Sequence, residues 1–423
     1  MSESPVQPAL PRDTGRIALI AATFPLPSET FVYREVRDLR QRGWTVETVS
    51  LNDAPPNREG YGDLFESRIV VYGSGLAATL AGAAMEILSH PIQALKTLLM
   101  SVRDLIDPGE ATPAKMRMRL PLQALAAIGL AHRLRGARVQ WIHCHFAHAP
   151  TTVGMYAAKQ LAVPFSFTGH ANDLFQRRCL LLRKLQRAAL VSCISRWHSA
   201  WYQSICPGIS AKCELVRCGV DTYDWRPPEN RRPADRLRIV TVGRLVEKKG
   251  IDTLIQAFRE LNRRDIPATL AIAGTGEQES RLRALAAANG SDPIQWLGEM
   301  DNAKVPALLA DADVLALPCR DDAKGDRDGI PVVLMEAMAC GLPVVSGDLP
   351  AIRELIDDGV SGLLVPGSQA DALADALAKL AADPDLRRKL GAAGRRKIEA
   401  EFSLTTNIDR LEARLKDALR TPK

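Results

Sequence analysis

Two carboxylates, Asp328 and Glu336, stand on either side of a Gly-Ile-Pro turn in the stretch DGIPVVLMEAMACGLPVVS. The apolar run after the turn predicts a helix with Ile330 as its cap and Pro331 at its first position. Glu336 then falls on the second turn, and Asp328 lies just before the helix, where Gly329 lets the backbone approach a ligand. Carboxylates in these places can accept hydrogen bonds from neutral hydroxyl groups. The stretch therefore predicts a site for a hydroxyl-rich ligand.

Two glycine-marked strand ends in the same half of the chain predict a phosphate site. In VGRLVEKKG, Arg244 follows a strand and Lys249 comes just before a helix, whose first N–H groups also attract phosphate. In AIAGTGE, Gly274 lets the backbone approach a ligand, although Glu279 occupies the place of the third glycine of the dinucleotide-binding fingerprint. Exposed loop charge is the alternative reason for the two cations. Together, the cations and carboxylates suit a sugar nucleotide.

Histidines and aspartates elsewhere could bind a metal ion, but their context does not favour it. His143, His145 and His148 lie within six residues, and the first two share a face of a strand. No cysteine or carboxylate partner set is recognisable beside them in the sequence, so no metal site is predicted. Two Asp-x-Asp triplets occur at 311–313 and 326–328. The first opens a strand and the second precedes the Gly-Ile-Pro turn, so neither predicts a metal requirement.

The elements that must position these residues form two α/β halves. A strand at 16–24, a helix at 29–43 and a second strand make a β-α-β opening, which predicts a parallel sheet. The segment 221–236 is polar and proline-rich and is the best linker in the chain. After it, strands and helices alternate again. The predicted domains are residues 1–222 with a helical insertion at about 73–135, residues 237–400, and a closing helix at 401–423 that returns to the first domain.

The net charge of +6 is concentrated in the first half of the chain. Residues 1–230 hold 26 lysines and arginines against 19 aspartates and glutamates. No nucleic-acid reader signature is present, so an anionic membrane surface or a phosphate-bearing substrate is a better partner for this half. A basic face that is merely solvated stays open as an alternative. The insertion predicts amphipathic helices that either pack on the sheet or lie on a membrane. The basic residues that accompany these helices are Lys96, Arg103, Lys115, Arg117, Arg119, Arg133, Arg135 and Arg138, and the four chosen to test membrane contact are Arg117, Arg119, Arg133 and Arg135.

The localisation predicted from the sequence is cytoplasmic. The polar first residues do not resemble a signal peptide, and no stretch of about 18 apolar residues could span a bilayer. The eight cysteines are scattered, without the paired spacing of a disulfide framework or a zinc site.

Several stretches resemble the family 4 retaining glycosyltransferases, which have the GT-B fold of two Rossmann-like domains with parallel sheets facing a central cleft. VGRLVEKKG, AGTGE, DGIPVVLMEAMACGLPVVS and DGVSGLLVP resemble the second domain of that family. FPLPSETFVYREVRDLRQRG, HCHFAHAP and FSFTGHANDLF resemble the first domain of its colanic-acid branch, whose members build exopolysaccharide on lipid carriers. The resemblance covers nearly the whole chain.

The resemblance implies a role for each candidate residue of the second domain. Arg244 and Lys249 would hold the donor diphosphate, with the backbone at Gly274 close by. Glu336 would bind the ribose hydroxyls. Asp328 would lie near the sugar hydroxyls as a catalytic-centre residue, together with the backbone at 329–331. Asp328 departs from the family pattern of two glutamates separated by seven residues, which leaves the identity of the sugar open.

In the first domain, the resemblance implies that the catalytic residue His170 orients the transferred sugar. His145 would line the cleft or support His170. Asp173 would bind the acceptor or fix its loop. Ser28, in PLPSE, takes the place of a glycine pair that approaches the donor phosphate in the family.

The resemblance thus predicts a retaining, metal-independent hexosyltransferase without a cofactor. Its donor would be a nucleoside-diphosphate sugar such as a UDP-sugar, and its acceptor a lipid-linked or amphiphilic glycan of exopolysaccharide or glycolipid synthesis. The protein would be peripheral on the inner face of the plasma membrane. A nucleotide-sugar 2-epimerase and a non-catalytic nucleotide-sugar-binding protein are the alternatives.

Overall fold

The computed structural model describes residues 14–26, 29–54, 64, 66–170, 174, 178–229, 235–288, 294–323 and 325–420. The chain divides into two compact units. The first unit comprises Met1–Cys193, Trp201–Glu214 and Ile408–Lys423, and the second comprises Ile194–Ala200 and Leu215–Asn407. Ser28 and Asp173 lie outside the described residues.

The first unit is built on a seven-stranded sheet with the order β3-β2-β1-β4-β5-β6-β7. The pairs from β3 to β6 are parallel, as the β-α-β opening predicts. The strands are β1 (Gly15–Thr23), β2 (Trp44–Asn52), β3 (Ile69–Val70), β4 (Trp141–His145), β5 (Phe165–Gly169), β6 (Leu190–Cys193) and β7 (Cys213–Leu215).

The helices of the first unit cover this sheet. They are α1 (Thr30–Gln41), α2 (Leu76–Ser89), α3 (Pro91–Ile106), α4 (Ala114–Arg117), α5 (Leu120–Gly136), α6 (Ala149–Leu161) and α7 (Leu181–Arg187). In α1, Val32, Val36 and Leu39 are buried, which is the face that the helical spacing of the sequence predicts. The helix ends before Gly43, whose φ of 87° suits glycine.

The insertion at 73–135 folds into the helices that the sequence predicts, namely α2 to α5. The helix α5 is largely buried and lies against α2, α3 and α6. The helices α2 and α3 instead expose many apolar side chains. Across the residues that the structure describes, no helix is both long and apolar enough to cross a membrane.

The second unit contains a six-stranded parallel sheet with the order β10-β9-β8-β11-β12-β13. Its strands are β8 (Leu237–Val242), β9 (Ala268–Ala273), β10 (Ile294–Gly298), β11 (Val314–Leu317), β12 (Val344–Gly347) and β13 (Leu363–Val365). Its helices are α9 (Ile251–Arg263), α10 (Glu279–Ala287), α11 (Val305–Ala310), α12 (Val332–Ala339), α13 (Ala370–Ala382) and α14 (Pro384–Lys397). Two further helices, α8 (Arg196–Ile205) and α15 (Leu404–Arg420), have residues in both units.

The core of the second unit forms between its sheet and its helices. The helix α9 buries the five apolar residues that the sequence pattern assigns to one face, Ile251, Leu254, Ile255, Phe258 and Leu261. This packing fixes the start of α9, and with it the turn that carries Lys249.

Candidate functional site

Three neighbouring strands of the second unit end in the predicted donor-binding residues. Arg244 follows β8 by two residues and is exposed, and Gly274 directly follows β9. The loop after β11 leads to Asp328 and α12. These strands are adjacent in the sheet, in the order β9-β8-β11. Since ligands of parallel sheets bind outside the carboxyl ends of the strands, these three loops form a candidate site.

The backbone at this sheet edge is closely packed, which explains its glycines. Gly274 has a φ of 133°, and a Cβ there would lie 1.9 Å from the carbonyl oxygen of Gly243. Gly250, just before α9, has a φ of 66°, and a Cβ there would lie 2.1 Å from the carbonyl oxygen of Pro318. Any side chain at either position would force the strand ends apart.

Lys249 and Asp328, predicted separately for phosphate and sugar, form an ion pair in the structure. The Nζ of Lys249 lies 2.8 Å from Oδ2 of Asp328, and both side chains are largely buried. Although burial opposes both charges, each partner stabilises the other. The pKa of Lys249 is therefore raised and that of Asp328 lowered, the latter with help from Lys248. Both groups are charged at neutral pH.

Lys248 is a second buried cation that the sequence analysis did not select. Its Nζ lies 2.8 Å from Oδ2 of Asp326, and each side chain is only 6% exposed. It also lies 3.5 Å from Oδ1 of Asp328. Asp326, Lys248, Asp328 and Lys249 thus form a row of alternating charges, in which the lysines come from the loop after β8 and the aspartates from the loop after β11. The adjacent lysines of EKK look alike in the sequence, and only the fold separates them.

The helix α12 begins one residue later than predicted. Pro331 is its N-cap, not its first residue, because its ψ of 127° is extended, and Ile330 lies outside the helix. Glu336 is buried on the second turn, as the spacing predicts. Gly329 packs near Ile194 and His198: a Cβ on Gly329 would lie 3.4 Å from Ile194 and 3.9 Å from His198. His198 was not selected from the sequence, since it stands alone in its stretch.

A buried histidine cluster forms the candidate site of the first unit. His145 ends β4 and His170 follows β5, the neighbouring strand. The Nδ1 of His145 lies 3.3 Å from Nε2 of His170, and the ring of His170 packs against both Phe31 and Phe146, with centroids 4.4 and 4.7 Å away. His143 points to the same side of β4 as His145, with the two ring centroids 5.1 Å apart.

Glu35 supplies the carboxylate that the sequence analysis found missing beside the histidines. Its Oε1 lies 3.3 Å from Nε2 of His145 and 3.5 Å from Nε2 of His143. Although burial alone would raise it, the pKa of Glu35 is lowered by His145 and His143. Glu35, His143 and His145 could hold a metal ion, because their ligand atoms lie within 4.8 Å of one another. The expectation that no carboxylate joins the histidines was wrong, because α1 brings Glu35 to β4 from far away in the sequence.

Hydrogen bonds also account for this cluster without an ion. Burial lowers the pKa of His143 to about 4, so its ring is neutral at neutral pH. Its Nδ1 lies 2.7 Å from the hydroxyl of Ser166, which also accepts a hydrogen bond from the indole N–H of Trp141. The Ser166 proton can then go to Nδ1 of His143, which leaves the ring proton on Nε2, close to the Thr168 hydroxyl at 3.2 Å and to Glu35 at 3.5 Å.

With a neutral ring, His145 would give a direction to its contact with His170. A neutral His145 that donates from Nε2 to Glu35 has only a lone pair on Nδ1. His170 must then donate from its own Nε2, and its Nδ1 becomes a hydrogen-bond acceptor. In that arrangement, the contact of His145 with Glu35 would set which nitrogen of His170 carries the proton.

The Asp-x-Asp triplet at 311–313 pairs with Arg238. Asp313 accepts two hydrogen bonds from the guanidinium of Arg238, at 2.9 and 3.0 Å, and Asp311 accepts a third at 3.0 Å. These contacts join the start of β8 to the start of β11. They lie at the end of the strands opposite to Lys249.

Comparisons with known proteins match both parts of the chain to glycosyltransferase families. Residues 28–224 match the family described as Glycosyltransferase Family 4, and residues 225–397 match Glycosyl transferases group 1. A protein of Escherichia coli named for colanic acid biosynthesis, WcaL, is 39% identical over 49% of this chain and 51% of its own length. A GDP-mannose-dependent phosphatidylinositol monomannoside mannosyltransferase of Mycobacterium tuberculosis is 38% identical over 50% of this chain and 57% of its own length. These matches therefore span about half of each relative.

Two further comparisons extend over nearly the whole chain. The amylovoran biosynthesis glycosyltransferase AmsK of Erwinia amylovora is 28% identical over 92% of this chain and 96% of its own length. The crystal structure of HepE from Anabaena, in complex with UDP and glucose, covers 94% of this chain and 98% of its own, with a TM-score of 0.69 and 16% identity. The latter likeness establishes the fold.

Proposed function

The chain belongs to the family 4 glycosyltransferases with the GT-B fold, and on that premise we propose that it transfers a hexose from a nucleoside diphosphate to a hydroxyl of a lipid-linked or amphiphilic glycan. The product would belong to exopolysaccharide or glycolipid synthesis. The observation that carries this proposal is the alternation of Lys248, Lys249, Asp326 and Asp328 at the carboxyl end of β8, beside the exposed Arg244.

The cations suit the departing diphosphate. When the bond between the sugar and the phosphate breaks, negative charge develops on the phosphate oxygens. Arg244 and Lys249 stabilise that charge, because charge-assisted hydrogen bonds in a site with little water are strong. Lys249 exchanges its present partner, Asp328, for the phosphate, which leaves the carboxylate to accept hydrogen bonds from sugar hydroxyls. Glu336 binds the ribose hydroxyls.

We propose that transfer retains the configuration of the sugar and needs no metal ion. The acceptor hydroxyl attacks on the face from which the diphosphate leaves, and a phosphate oxygen takes its proton. The cations at the end of β8 supply the positive charge that a metal ion would otherwise provide. His170 makes a hydrogen bond to the transferred sugar.

Two measurements test this proposal. Thermal unfolding in the presence of UDP- and GDP-sugars identifies the donor, because a ligand that binds only the folded protein raises the melting temperature. The selected donor is then incubated with the protein without acceptor. Slow release of the free sugar supports a transferase. Isomerised donor would instead identify an epimerase, and an unaltered donor would identify a binding protein.

The acceptor proposed here places the protein at the cytoplasmic face of the plasma membrane as a peripheral protein. The relative named for phosphatidylinositol monomannoside supports an acceptor with a lipid part, and the relatives named for colanic acid and amylovoran support a role in exopolysaccharide synthesis.

A further inference from the structure

The helix α2 turns its apolar side outward and its only charge inward. Glu86, the sole charged residue of α2, is fully buried. The outward side chains include Leu76, Leu80, Met85 and Leu88, of which Leu88 is 82% exposed. A helix on the surface of a protein in water normally shows the opposite arrangement.

The next helix, α3, repeats this inversion. Its buried residues are Ala94, Thr97, Ser101 and Asp104. Its exposed residues include five large apolar side chains, with Ile92 and Ile106 each 71% exposed. They are Ile92, Leu95, Leu99, Val102 and Ile106.

The inward polar groups are paired, so the outward direction of the apolar side chains is fixed. Glu86 lies 2.6 Å from the guanidinium of Arg135 and accepts a hydrogen bond from Gln160 at 3.0 Å. Asp104 accepts two hydrogen bonds from Arg187, each of 2.7 Å. Turning either helix around would break these ion pairs and remove the carboxylate partner of Arg135 or of Arg187, whose side chains are 36% and 26% exposed.

Large exposed apolar side chains are concentrated in this region. In the part of the chain that the structure describes, all of them except Tyr223 and Val360 lie between Leu76 and Leu122. We call the outward side chains of α2 and α3 the apolar face; it comprises Leu76, Leu80, Met85, Leu88, Ile92, Leu95, Leu99, Val102 and Ile106. Such a patch marks an interaction surface.

The charges beside the apolar face are positive. Lys96 and Arg103, seven residues apart on α3, are exposed. Among the described residues of α2 to α5 and their connections, Asp107 is the one exposed acid, and it pairs with Arg183. An anionic bilayer complements such a surface. A second copy of the chain would bring the same cations together across a two-fold interface, because each copy presents the same patch.

We propose that the apolar face lies in the surface of an anionic lipid bilayer, with its side chains at the boundary between headgroups and acyl chains. Lys96 and Arg103 then contact the anionic headgroups. The inference adds an attachment surface to the proposed function and rests on that function only for the identity of the acceptor.

Two of the basic residues expected from the sequence to contact a membrane are engaged within the protein. Arg135 is paired with Glu86, and Arg117 donates to the carbonyl oxygens of Leu105 and Ile106. These two arginines hold the helices together, so their replacement would test folding more than lipid contact. Arg119 and Arg133 are exposed and stay available to headgroups.

Vesicle co-sedimentation tests the proposal with the full chain. The vesicles contain phosphatidylcholine with or without phosphatidylglycerol. We expect the wild type to bind the anionic vesicles. The triple variant Leu88→Gln/Ile92→Gln/Leu99→Gln, called the Leu88 variant below, should bind at least about a hundredfold more weakly. The matched control, Tyr223→Gln/Val360→Gln, replaces exposed apolar residues elsewhere and should bind like the wild type.

A charge variant separates the two parts of the attraction. Lys96→Gln/Arg103→Gln should weaken binding at low salt and flatten its salt dependence, because only the ionic part is screened. Equal melting temperatures of all variants confirm that they are folded. Failure of the wild type to bind anionic vesicles at low salt would overturn the proposal, as would equal binding by the Leu88 variant.

Two more measurements separate bilayer attachment from self-association and from a failure of the proposed function. Sedimentation velocity that shows a dimer, dissociated by the Leu88 variant, would overturn the proposal and assign the apolar face to a second copy. Transfer assays compare a water-soluble acceptor with one embedded in vesicles. We expect the Leu88 variant to lose activity only on the embedded acceptor. Absence of transfer to both acceptors in the wild type would instead contradict the proposed function and leave vesicle binding as an independent result.

Discussion

Replacing Asp328 by asparagine should strengthen the binding of a nucleoside diphosphate while it slows sugar transfer. Asp328 holds Lys249 at 2.8 Å, so a phosphate that reaches Lys249 must compete with this carboxylate. Two unit charges about 4 Å apart attract by about 4 kcal/mol near a protein surface. Losing part of that competition should raise the affinity by about ten- to a hundredfold, or about 1.4–2.8 kcal/mol.

The same change should destabilise the protein without ligand, since Lys249 is largely buried and keeps only a neutral oxygen as its partner. Removing one member of a buried ion pair costs about 3–5 kcal/mol, and the asparagine oxygen reduces this to the lower end. Asp328→Asn should therefore melt at a lower temperature than the wild type and gain more stability from UDP or GDP. Loss of a carboxylate that accepts hydrogen bonds from the sugar hydroxyls should lower kcat in the transfer assay.

Calorimetric titration with UDP and GDP, together with urea unfolding, checks this prediction. Asp326→Asn is the matched control, because it removes the adjacent carboxylate from Lys248 and not from Lys249. It should destabilise the protein without raising the diphosphate affinity. An unchanged or weaker diphosphate affinity in Asp328→Asn would refute the reasoning that Lys249 is shared between the carboxylate and the phosphate.

Three other predictions concern the neighbouring groups and the need for a metal. Lys248→Met should lower the free energy of unfolding by about 3–5 kcal/mol, measured in urea, because it leaves Asp326 buried without its cation; the cost should largely disappear in the double variant Lys248→Met/Asp326→Leu. In ¹⁵N-histidine-labelled wild type, nitrogen chemical shifts should place the proton of His170 on Nε2. Glu35→Gln should change that assignment, whereas the control Glu86→Gln should leave it unaltered. A proton on Nδ1 of His170 in the wild type would contradict the direction inferred for the contact between His145 and His170. Transfer should continue in excess EDTA, and a full loss that Mn²⁺ restores would revive a metal requirement.

The local parts of the candidate site could be predicted from the sequence because strand ends, glycines and charges stand next to one another there. Arg244, Gly274 and Asp328 lie on loops of adjacent strands, and the apolar spacing of α9 identified the face that packs on the sheet. A parallel β-α-β pattern brings such loops to one edge of the sheet without further information.

Other features depend on contacts that no local pattern contains. Glu35 reaches His145 across 110 residues of sequence, and Lys248 reaches Asp326 across 78. The spacing in α2 and α3 predicts amphipathic helices, but the side that faces inward is decided by partners elsewhere, namely Arg135 for Glu86 and Arg187 for Asp104. The sequence therefore predicts the helices and not their inverted orientation.

Sugar transfer itself is tested most directly by incubating the protein with its selected nucleotide sugar and a lipid-linked glycan acceptor in anionic vesicles, followed by mass spectrometry and NMR of the product. Transfer of one hexose to an acceptor hydroxyl, with the anomeric configuration of the donor retained and with loss of activity in Lys249→Ala, is the predicted result. Contradiction would come from a product of inverted configuration, or from Lys249→Ala transferring sugar as fast as the wild type.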